Sequence, residues 1–305
     1  MIRPSPARAS TTLSQTIDAA ATALAEAGVA APRVDAELLA AHVLEVDRGR
    51  LRFTEADPEF AERYDTLIAR RAQRIPLQHL VGTAAFGPVD VHVGPGVFIP
   101  RPETEALLEW ALAQRLPDAP VIVDLCTGSG ALALALSKAR PDARIIAVDD
   151  SDAALEYARR NLAGTAVEIV CADVTEPALL PELDGSVDLV VANPPYIPDG
   201  ALLEPEVAEH DPAHALFGGP DGMRVIEAIS GVAGRWLRTG GLVAVEHDDT
   251  TSERTVECLS RSTRFDDITA RHDLTGRPRF VTARRTPKED PRHESVVRLL
   301  RRRPA

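Results

Sequence analysis

The chain has 305 residues, of which 45% are hydrophobic and 26% charged, and its formal net charge is −12. These fractions are ordinary for a globular protein, and the length allows two domains. The acidic balance argues against a mainly electrostatic nucleic-acid binder, which needs a basic face to displace counterions from phosphates. No apolar run approaches the roughly 20 residues that a membrane-spanning helix needs.

The N-terminus and the cysteines bear on where the protein works. Residues 1–16 contain arginine, serine and threonine but no acid, a composition found in organellar transit peptides and in frayed tails alike. The cysteines Cys126, Cys171 and Cys258 are odd in number and widely spaced, which favours neither a disulfide framework nor a metal site. We therefore expect a cytoplasmic protein without a metal, and a targeting role of residues 1–16 stays open.

The N-terminal part of the chain has the hydrophobic spacing of helices. From Leu13 to Arg74, apolar residues recur at three- and four-residue intervals in three segments. Gly28 ends the first segment and Pro32 opens the second. We assign residues 1–80 to a small helical domain that docks the substrate, and a plain scaffolding role is the alternative.

The composition and the spacing of apolar residues change at residue 81. Residues 81–99 combine glycine and proline with alternating apolar positions, which predicts a β-hairpin that links two domains. The run Phe98-Ile99-Pro100-Arg101-Pro102-Glu103-Thr104-Glu105 follows and leads into a helix through Leu116. Prolines and acids in a first turn are an ordinary helix start, so this run also has a purely structural explanation.

Strands and helices alternate over residues 100–285. We place strands near 121–124, 144–148, 167–171, 187–192, 241–246, 265–270 and 279–284, and helices near 131–139, 151–162, 222–238 and 251–261. This alternation predicts an α/β fold with a seven-stranded, mostly parallel Rossmann-like sheet covered by helices on both faces. The last two strands lack a helix between them, so we expect one strand to run antiparallel at the sheet edge. The arginine-rich residues 286–305 predict a disordered basic tail.

The first strand of this sheet leads into a glycine-rich turn, Asp124-Leu125-Cys126-Thr127-Gly128-Ser129-Gly130. Such a turn lets the backbone approach a ligand closely and aims helix N–H groups at it. Asp149 ends the second strand, where an acid can bind ribose hydroxyls, and Asp173 follows the third, within reach of an adenine amino group. The pattern fits NAD-dependent and S-adenosylmethionine-dependent enzymes alike. Asp124 favours the second, because a carboxylate pairs with a methionine ammonium but repels a pyrophosphate.

Asn193-Pro194-Pro195-Tyr196 follow the buried strand at 187–192. The two prolines end that strand and stiffen the turn, at the sheet edge where open α/β sheets bind ligands. Asn193 Oδ1 and the Pro194 carbonyl are two acceptors, and the Tyr196 ring is a flat surface. Together they suit a planar amide or exocyclic amino nitrogen, because acceptors that take its N–H bonds turn its lone pair toward an electrophile. The four residues alone do not distinguish glutamine from adenine.

In combination, these motifs resemble the class I methyltransferases of the HemK type, and within them the release factor glutamine methyltransferases. The resemblance covers residues 33–285 and rests on Arg33–Leu39, Ile99–Glu105, Asp124–Gly130, Asn193–Ile197, Phe217–Gly222 and Gly240–His247. It implies a methyltransferase domain over residues 100–285, S-adenosylmethionine as cofactor, and methylation of a glutamine side-chain nitrogen in peptide chain release factors by direct in-line transfer.

The resemblance also implies roles for individual residues. Those that would contact S-adenosylmethionine are Cys126, Thr127, Gly128, Ser129, Gly130, Asp149, Asp173, Val174 and Asn193. The glutamine amide would be held by the catalytic set Asn193, Pro194, Pro195 and Tyr196, with Phe98 and Arg101 at the border of the same cavity.

The chain departs from the family's pattern at two places. Glu246-His247 are followed by Asp248-Asp249-Thr250-Thr251 rather than by a glycine and a nearby glutamine, and Cys126 replaces a more usual glycine. Other functions stay open: adenine N6-methylation of DNA or RNA, glutamine methylation of a ribosomal protein, or non-catalytic binding. We expect a monomer that acts on release factors and contacts neither a membrane nor nucleic acid.

Overall fold

A computed structural model describes residues 12–287 of the chain. The predictions for residues 1–11 and 288–305, which concern a targeting segment and a basic tail, lie outside the described residues. Within residues 12–287, no helix combines the length and the apolar character that a membrane span requires.

The described chain forms two compact units. The first comprises residues 12–83, 93–95 and 203–210, and the second comprises residues 84–92, 96–202 and 211–287. The sequence-based division into a helical domain over 1–80, a linker over 81–99 and a larger domain over 100–285 stays a prediction. No local pattern in the sequence indicates that residues 203–210 belong with the helical unit.

The first unit is built from short helices. They are α1 (Leu13–Glu26), α2 (Pro32–Leu44), the 3₁₀ helix Arg48–Phe53, α3 (Phe60–Ala72) and α4 (Leu77–Val81). Thr12 and Gln15 form a capping box that starts α1, and Pro32 occupies the first position of α2. The buried Tyr64 donates its hydroxyl proton to the Ala36 carbonyl, at 2.9 Å, and so joins α3 to α2.

A buried arginine fastens residues 203–210 to the helical unit. The Arg71 guanidinium lies 2.7 Å from Asp35 Oδ2 and 2.8 Å from Glu206 Oε1. Arg74 contacts the same Glu206 oxygen at 2.8 Å. A buried charge is tolerated where it is paired, and here two acids of distant sequence positions neutralise one arginine.

The second unit contains a hairpin and an α/β sheet. The hairpin strands are β1 (Thr83–Phe86) and β2 (Val89–His92), and the sheet strands are β3 (Val121–Leu125), β4 (Arg144–Asp149), β5 (Glu168–Cys171), β6 (Val187–Ala192), β7 (Leu237–Glu246), β8 (Phe265–His272) and β9 (Pro278–Arg285). The remaining helices are α5 (Glu105–Leu112), α6 (Ala131–Ala139), α7 (Asp152–Asn161), α8 (Pro205–His210, in the first unit), α9 (Ala213–Leu216), α10 (Arg224–Trp236) and α11 (Ser252–Arg261), with 3₁₀ turns at Pro102–Thr104 and Pro181–Leu183.

The sheet has seven strands in the order β5-β4-β3-β6-β7-β9-β8. β3 to β7 are parallel, which confirms the Rossmann-like fold, and β9 is antiparallel to both of its neighbours. The expectation of an antiparallel strand at the edge is wrong in one respect, because the edge strand is β8. The crossover through α11 places β8 one strand position away from β7, and β9 turns back to occupy the position between them.

The strand order reverses between β3 and β6. Every residue of β6 is buried, because helices cover both faces of the central strands. In open α/β sheets this reversal, at the carboxyl ends of the strands, is where ligands bind. The turns that follow β3 and β6 therefore flank the predicted site.

Candidate functional site

The turn after β3 has the backbone shape of a ligand cradle. Cys126, Gly128 and Gly130 all have left-handed backbones, with φ of 57°, 56° and 80°. A Cβ at Gly130 would lie 3.2 Å from the Leu162 side chain, so glycine allows close packing as well as the unusual φ. The Thr127 N–H donates to the Val148 carbonyl at 3.0 Å and ties the turn to β4.

Asp124 lies beneath this turn with one oxygen unused. It is 1% exposed, and its Oδ2 accepts from the Thr127 hydroxyl at 2.5 Å and from the Ala133 N–H at 3.2 Å. Its Oδ1 is buried and has no hydrogen-bond partner among residues 12–287. Burial raises the pKa of this carboxyl to about 7. A buried acceptor of this kind fits a ligand that carries a cationic donor, such as the ammonium group of S-adenosylmethionine.

Asp149 ends β4 beside the same turn. Its Oδ2 accepts from the Gly128 N–H at 2.8 Å and its Oδ1 from the Ser151 N–H at 3.0 Å. Burial raises the pKa of this carboxyl. Each oxygen has a second lone pair, so the carboxylate can still accept from the hydroxyls of a ribose.

The next strand places the remaining predicted cofactor residues. Asp173 and Val174 follow β5, which pairs with β4 so that Asp149 lies opposite Cys171. Val174 is buried, and Asp173 Oδ1 accepts from the Thr175 N–H at 2.8 Å. The turn after β3 and the ends of β4 and β5 thus lie along one edge of the sheet, as the sequence predicts.

Cys126 is set among carboxylates rather than bases. Burial raises the pKa of its thiol well above the ordinary value, and the charges of Asp149, Asp150 and Asp124 raise it further. A thiol in these surroundings stays protonated and is a poor nucleophile. The geometry therefore favours the interpretation of Cys126 as a small residue in the turn.

The polar side chains of the turn after β6, Asn193 and Tyr196, each donate a hydrogen bond to a residue outside the turn. The Asn193 Nδ2 donates to the Thr104 hydroxyl oxygen at 3.0 Å. The Tyr196 hydroxyl donates to Glu246 Oε1 at 3.0 Å. Burial raises the pKa of Tyr196 well above its ordinary value, and Glu246 raises it further, so the phenol stays protonated. Asn193 Oδ1 is therefore the acceptor that the amide has left for a ligand.

The backbone of this turn is braced by the segment Phe217–Gly222. The Ile197 N–H donates to the Leu216 carbonyl and the Gly218 N–H donates to the Ile197 carbonyl, both at 2.9 Å. A Cβ at Gly218 would lie 2.5 Å from the Pro195 carbonyl oxygen. The Pro195 carbonyl is thus covered by a glycine, and the role of the Pro194 carbonyl as an acceptor stays a prediction.

Phe98 and Arg101 form a second cluster. The Arg101 guanidinium lies 4.9 Å from the centre of the Phe98 ring and makes an ion pair with Asp211. The Asp211 side chain is 1% exposed, whereas that of Arg101 is 31% exposed. The buried Asp211 therefore fixes the Arg101 guanidinium, and part of the guanidinium stays accessible to solvent.

Sequence reasoning missed the residues that support the predicted ones. Thr104 and Glu246 contact Asn193 and Tyr196, and Asn161 donates to the Ser129 carbonyl at 2.8 Å. A signal was present, since Thr104 and Glu246 stand in two of the runs that carry the family resemblance. Nothing local in either run indicates that it meets the turn after β6.

Comparisons with known proteins agree with this geometry. The family model described as PrmC N-terminal domain matches residues 15–82, and that described as methyltransferase small domain matches residues 90–210. The release factor glutamine methyltransferase of Mycolicibacterium smegmatis is 71% identical over 90% of this chain and 98% of its own length. The protein of the same name from Mycobacterium tuberculosis (strain CDC 1551 / Oshkosh) is 66% identical over 90% of this chain and 92% of its own length.

Among solved structures, a methyltransferase from Pyrococcus furiosus matches with a TM-score of 0.52 and 17% identity. The match covers 72% of this chain and 100% of that one. At this identity the likeness shows the fold alone, and it agrees with the strand order described above.

Proposed function

Because the chain belongs to the release factor glutamine methyltransferase family, we propose that it methylates a glutamine side-chain nitrogen in a peptide chain release factor, with S-adenosylmethionine as methyl donor. The observation that supports this most directly is the direction of the Asn193 amide. Its Nδ2 is engaged by Thr104, so its Oδ1 is left to accept an N–H bond of the substrate.

The cofactor half of the proposed site consists of Cys126–Gly130, Asp149, Asp173-Val174 and Asn193. The left-handed turn gives a ligand access to its backbone, and Asp149 offers acceptors for ribose hydroxyls. When bound, S-adenosylmethionine supplies an electrophilic methyl group on a sulfonium. Asp124 Oδ1, which no described residue engages, supports the same assignment, because a buried acceptor is stabilised by an ammonium donor.

The substrate half would work by positioning. Asn193 Oδ1 and the Pro194 carbonyl accept the two N–H bonds of the glutamine amide, while the Tyr196 ring supports its flat face. Held acceptors stabilise the positive charge that develops on the nitrogen as it is alkylated. The proton leaves afterwards, because a protonated alkylamide is strongly acidic, so no residue has to act as a strong base.

Several finer statements belong to the same proposal. Phe98 and Arg101 would border the glutamine, and the first unit would dock the release factor. We expect the protein to act as a monomer in the cytoplasm, where release factors work, without contacting nucleic acid. The relatives' names favour a release factor over a ribosomal protein, and the net charge of −12 disfavours an adenine in DNA or RNA.

The direct test is mass spectrometry of a purified release factor after incubation with the enzyme and S-adenosylmethionine. We expect one methyl group on one glutamine, and none on a factor in which that glutamine is replaced by asparagine. Ribosomal proteins and nucleic acid incubated in parallel should stay unlabelled. Methylation of a ribosomal protein or of nucleic acid, with none on the release factor, would overturn the proposal.

A further inference from the structure

Asn161 is the last residue of α7, and its side-chain amide bonds to two separate segments of the second unit. Its Oδ1 accepts from the backbone N–H of His92 at 2.7 Å. Its Nδ2 donates to the His92 carbonyl at 3.0 Å and to the Ser129 carbonyl at 2.8 Å. The side chain thus joins the end of β2 to the glycine-rich turn after β3.

These partners determine which way the Asn161 amide points. A carbonyl oxygen can only accept and a backbone N–H can only donate, so the two carbonyls fix the position of Nδ2 and the His92 N–H fixes that of Oδ1. A reversed amide would set its oxygen against both carbonyls. Aspartate has the same length but no donor, and glutamine is one methylene longer. The three backbone groups therefore fit an asparagine at this position.

The helix that carries Asn161 also packs directly against the turn. A Cβ atom at Gly130 would lie 3.2 Å from the Leu162 side chain and 3.5 Å from the Cα of Ala158. At the other end of α7, the capping residue Ser151 donates its N–H to Asp149 Oδ1 at 3.0 Å. Both ends of α7 therefore contact residues of the proposed cofactor site.

The bond from Asn161 matters because the turn is rich in glycine. Gly128 and Gly130 have left-handed backbones, and glycine loses more conformational freedom on ordering than any other residue. The Ser129–Gly130 peptide is held on both sides, since the Gly130 N–H donates to the Thr127 carbonyl at 2.9 Å and Asn161 binds the Ser129 carbonyl. Ser129 is buried, so loss of the Asn161 bond favours rotation of this peptide.

We propose that Asn161 is a positioning residue for S-adenosylmethionine: it fixes the Ser129–Gly130 peptide to the end of β2, so that the turn Cys126–Gly130 has its binding shape in the free enzyme. The cofactor's place in this turn is part of the proposed function, on which this role rests. Preorganisation raises affinity because less binding free energy is lost in ordering the turn. Asn161 does so without having to touch the cofactor.

The test is calorimetric titration of the variants Asn161→Ala and Asn161→Asp with S-adenosylmethionine. Alanine removes all three bonds, whereas aspartate keeps an acceptor for the His92 N–H but has no donor for the two carbonyls. We expect the Kd to rise about threefold to tenfold in N161A, and at least as far in N161D, whose negative charge faces two carbonyl oxygens. At saturating cofactor, kcat should stay close to the wild-type value, because the groups proposed to hold the glutamine are unchanged.

Thr165→Val is the matched control, because Thr165 lies just beyond the same end of α7 and its side-chain bonds are local. Its hydroxyl donates to the Leu162 carbonyl at 2.7 Å and accepts from the Val167 N–H at 3.3 Å. T165V should lower the melting temperature and leave the Kd unchanged. An unchanged Kd in both Asn161 variants, or an equal rise of the Kd in T165V, would overturn the inference.

Hydrogen exchange in the free enzyme is a second readout that needs neither cofactor nor substrate. The His92 and Gly130 amide protons should exchange slowly in wild type. N161D should keep the protection at His92 and lose it at Gly130, and N161A should lose both. Rapid exchange at both sites in wild type would refute the inference even if neither variant folds, and so would protection of Gly130 that persists in N161A.

The two proposals can fail separately. If wild-type enzyme binds S-adenosylmethionine with an affinity that depends on Asn161 but methylates no glutamine, the proposed function fails and the positioning role stands. If it methylates a glutamine and the Asn161 variants bind the cofactor as tightly as wild type, the positioning role fails alone.

Discussion

A Cβ atom at Gly222 would lie 2.2 Å from the carbonyl oxygen of Tyr196. The run Phe217–Gly222 is therefore the backbone support of the turn Asn193–Tyr196. Gly222 also has a left-handed φ of 75°, so two separate constraints require glycine at this position.

Gly222→Ala should displace the turn and remove most methyl transfer. Gly276→Ala is the matched control, because Gly276 has a similar φ of 84° but a Cβ there would meet no atom of the described chain within 4 Å. Backbone strain costs both variants about 1–2 kcal/mol, and G222A loses roughly 1–3 kcal/mol more through the steric clash. Urea denaturation measures the difference. Equal losses of stability and activity in the two variants would contradict the predicted role of Gly222.

Asn193→Ala should lower kcat by about 10²–10³, the range found when a held hydrogen-bonding group is removed from a developing charge. Calorimetry should find the affinity for S-adenosylmethionine largely unchanged, because the other predicted cofactor residues are intact. Asn193→Asp keeps an acceptor but cannot donate to Thr104, so we expect an intermediate loss. An N193A enzyme with normal turnover would exclude Asn193 from catalysis.

Glu246 should make the protein less stable as the pH rises. Burial raises the pKa of its carboxyl from 4.5 to about 7, so between these values the folded state holds a proton that the unfolded state has released. The free energy of unfolding then falls with rising pH across this window, by roughly 3 kcal/mol for a shift of this size. E246Q, which cannot titrate, should flatten that part of the curve. An unchanged slope in E246Q would show that other groups cause the pH dependence.

Asp124 should make cofactor binding depend on pH in the opposite direction. Burial raises the pKa of this carboxyl to about 7, so it becomes negatively charged as the pH rises through that value. A negative Asp124 attracts an ammonium, and the affinity for S-adenosylmethionine should therefore increase with pH. Calorimetry on wild type and D124N tests this. D124N should bind more weakly at high pH and lose the dependence, and a parallel curve in both proteins would contradict the role.

The exposed Phe53 offers a test of the docking role of the first unit. Its side chain is 77% exposed with the Arg52 guanidinium 4.5 Å above its ring, so both groups are accessible to a partner if this unit docks one. Phe53→Ser should slow methylation of an intact release factor several-fold and leave a short glutamine-bearing peptide unaffected. Leu274→Ser, an equally exposed apolar residue of the second unit at 77%, is the control. Equal effects on factor and peptide would contradict docking through Phe53.

Much of the fold follows from local patterns. The strand ending at Ala192 and the helix starting at Ala131 lie where hydrophobic periodicity and glycines predict them. The position of β9 does not follow, because hairpin strands can add at the edge or fill a gap. The helix predicted to run through Leu116 ends at Leu112, since its hydrophobic pattern does not determine where its hydrogen bonding stops.

The sequence by itself determined the family, the α/β fold and the residue types at the candidate site, because glycines, prolines and apolar spacing act over a few neighbouring residues. Only the tertiary structure decided that Asn193 donates to Thr104, that Tyr196 donates to Glu246 and that Glu206 pairs with Arg71. Each of these pairs joins segments that are far apart in the chain. Such contacts depend on how the elements pack, and no local pattern encodes the partner that packing supplies.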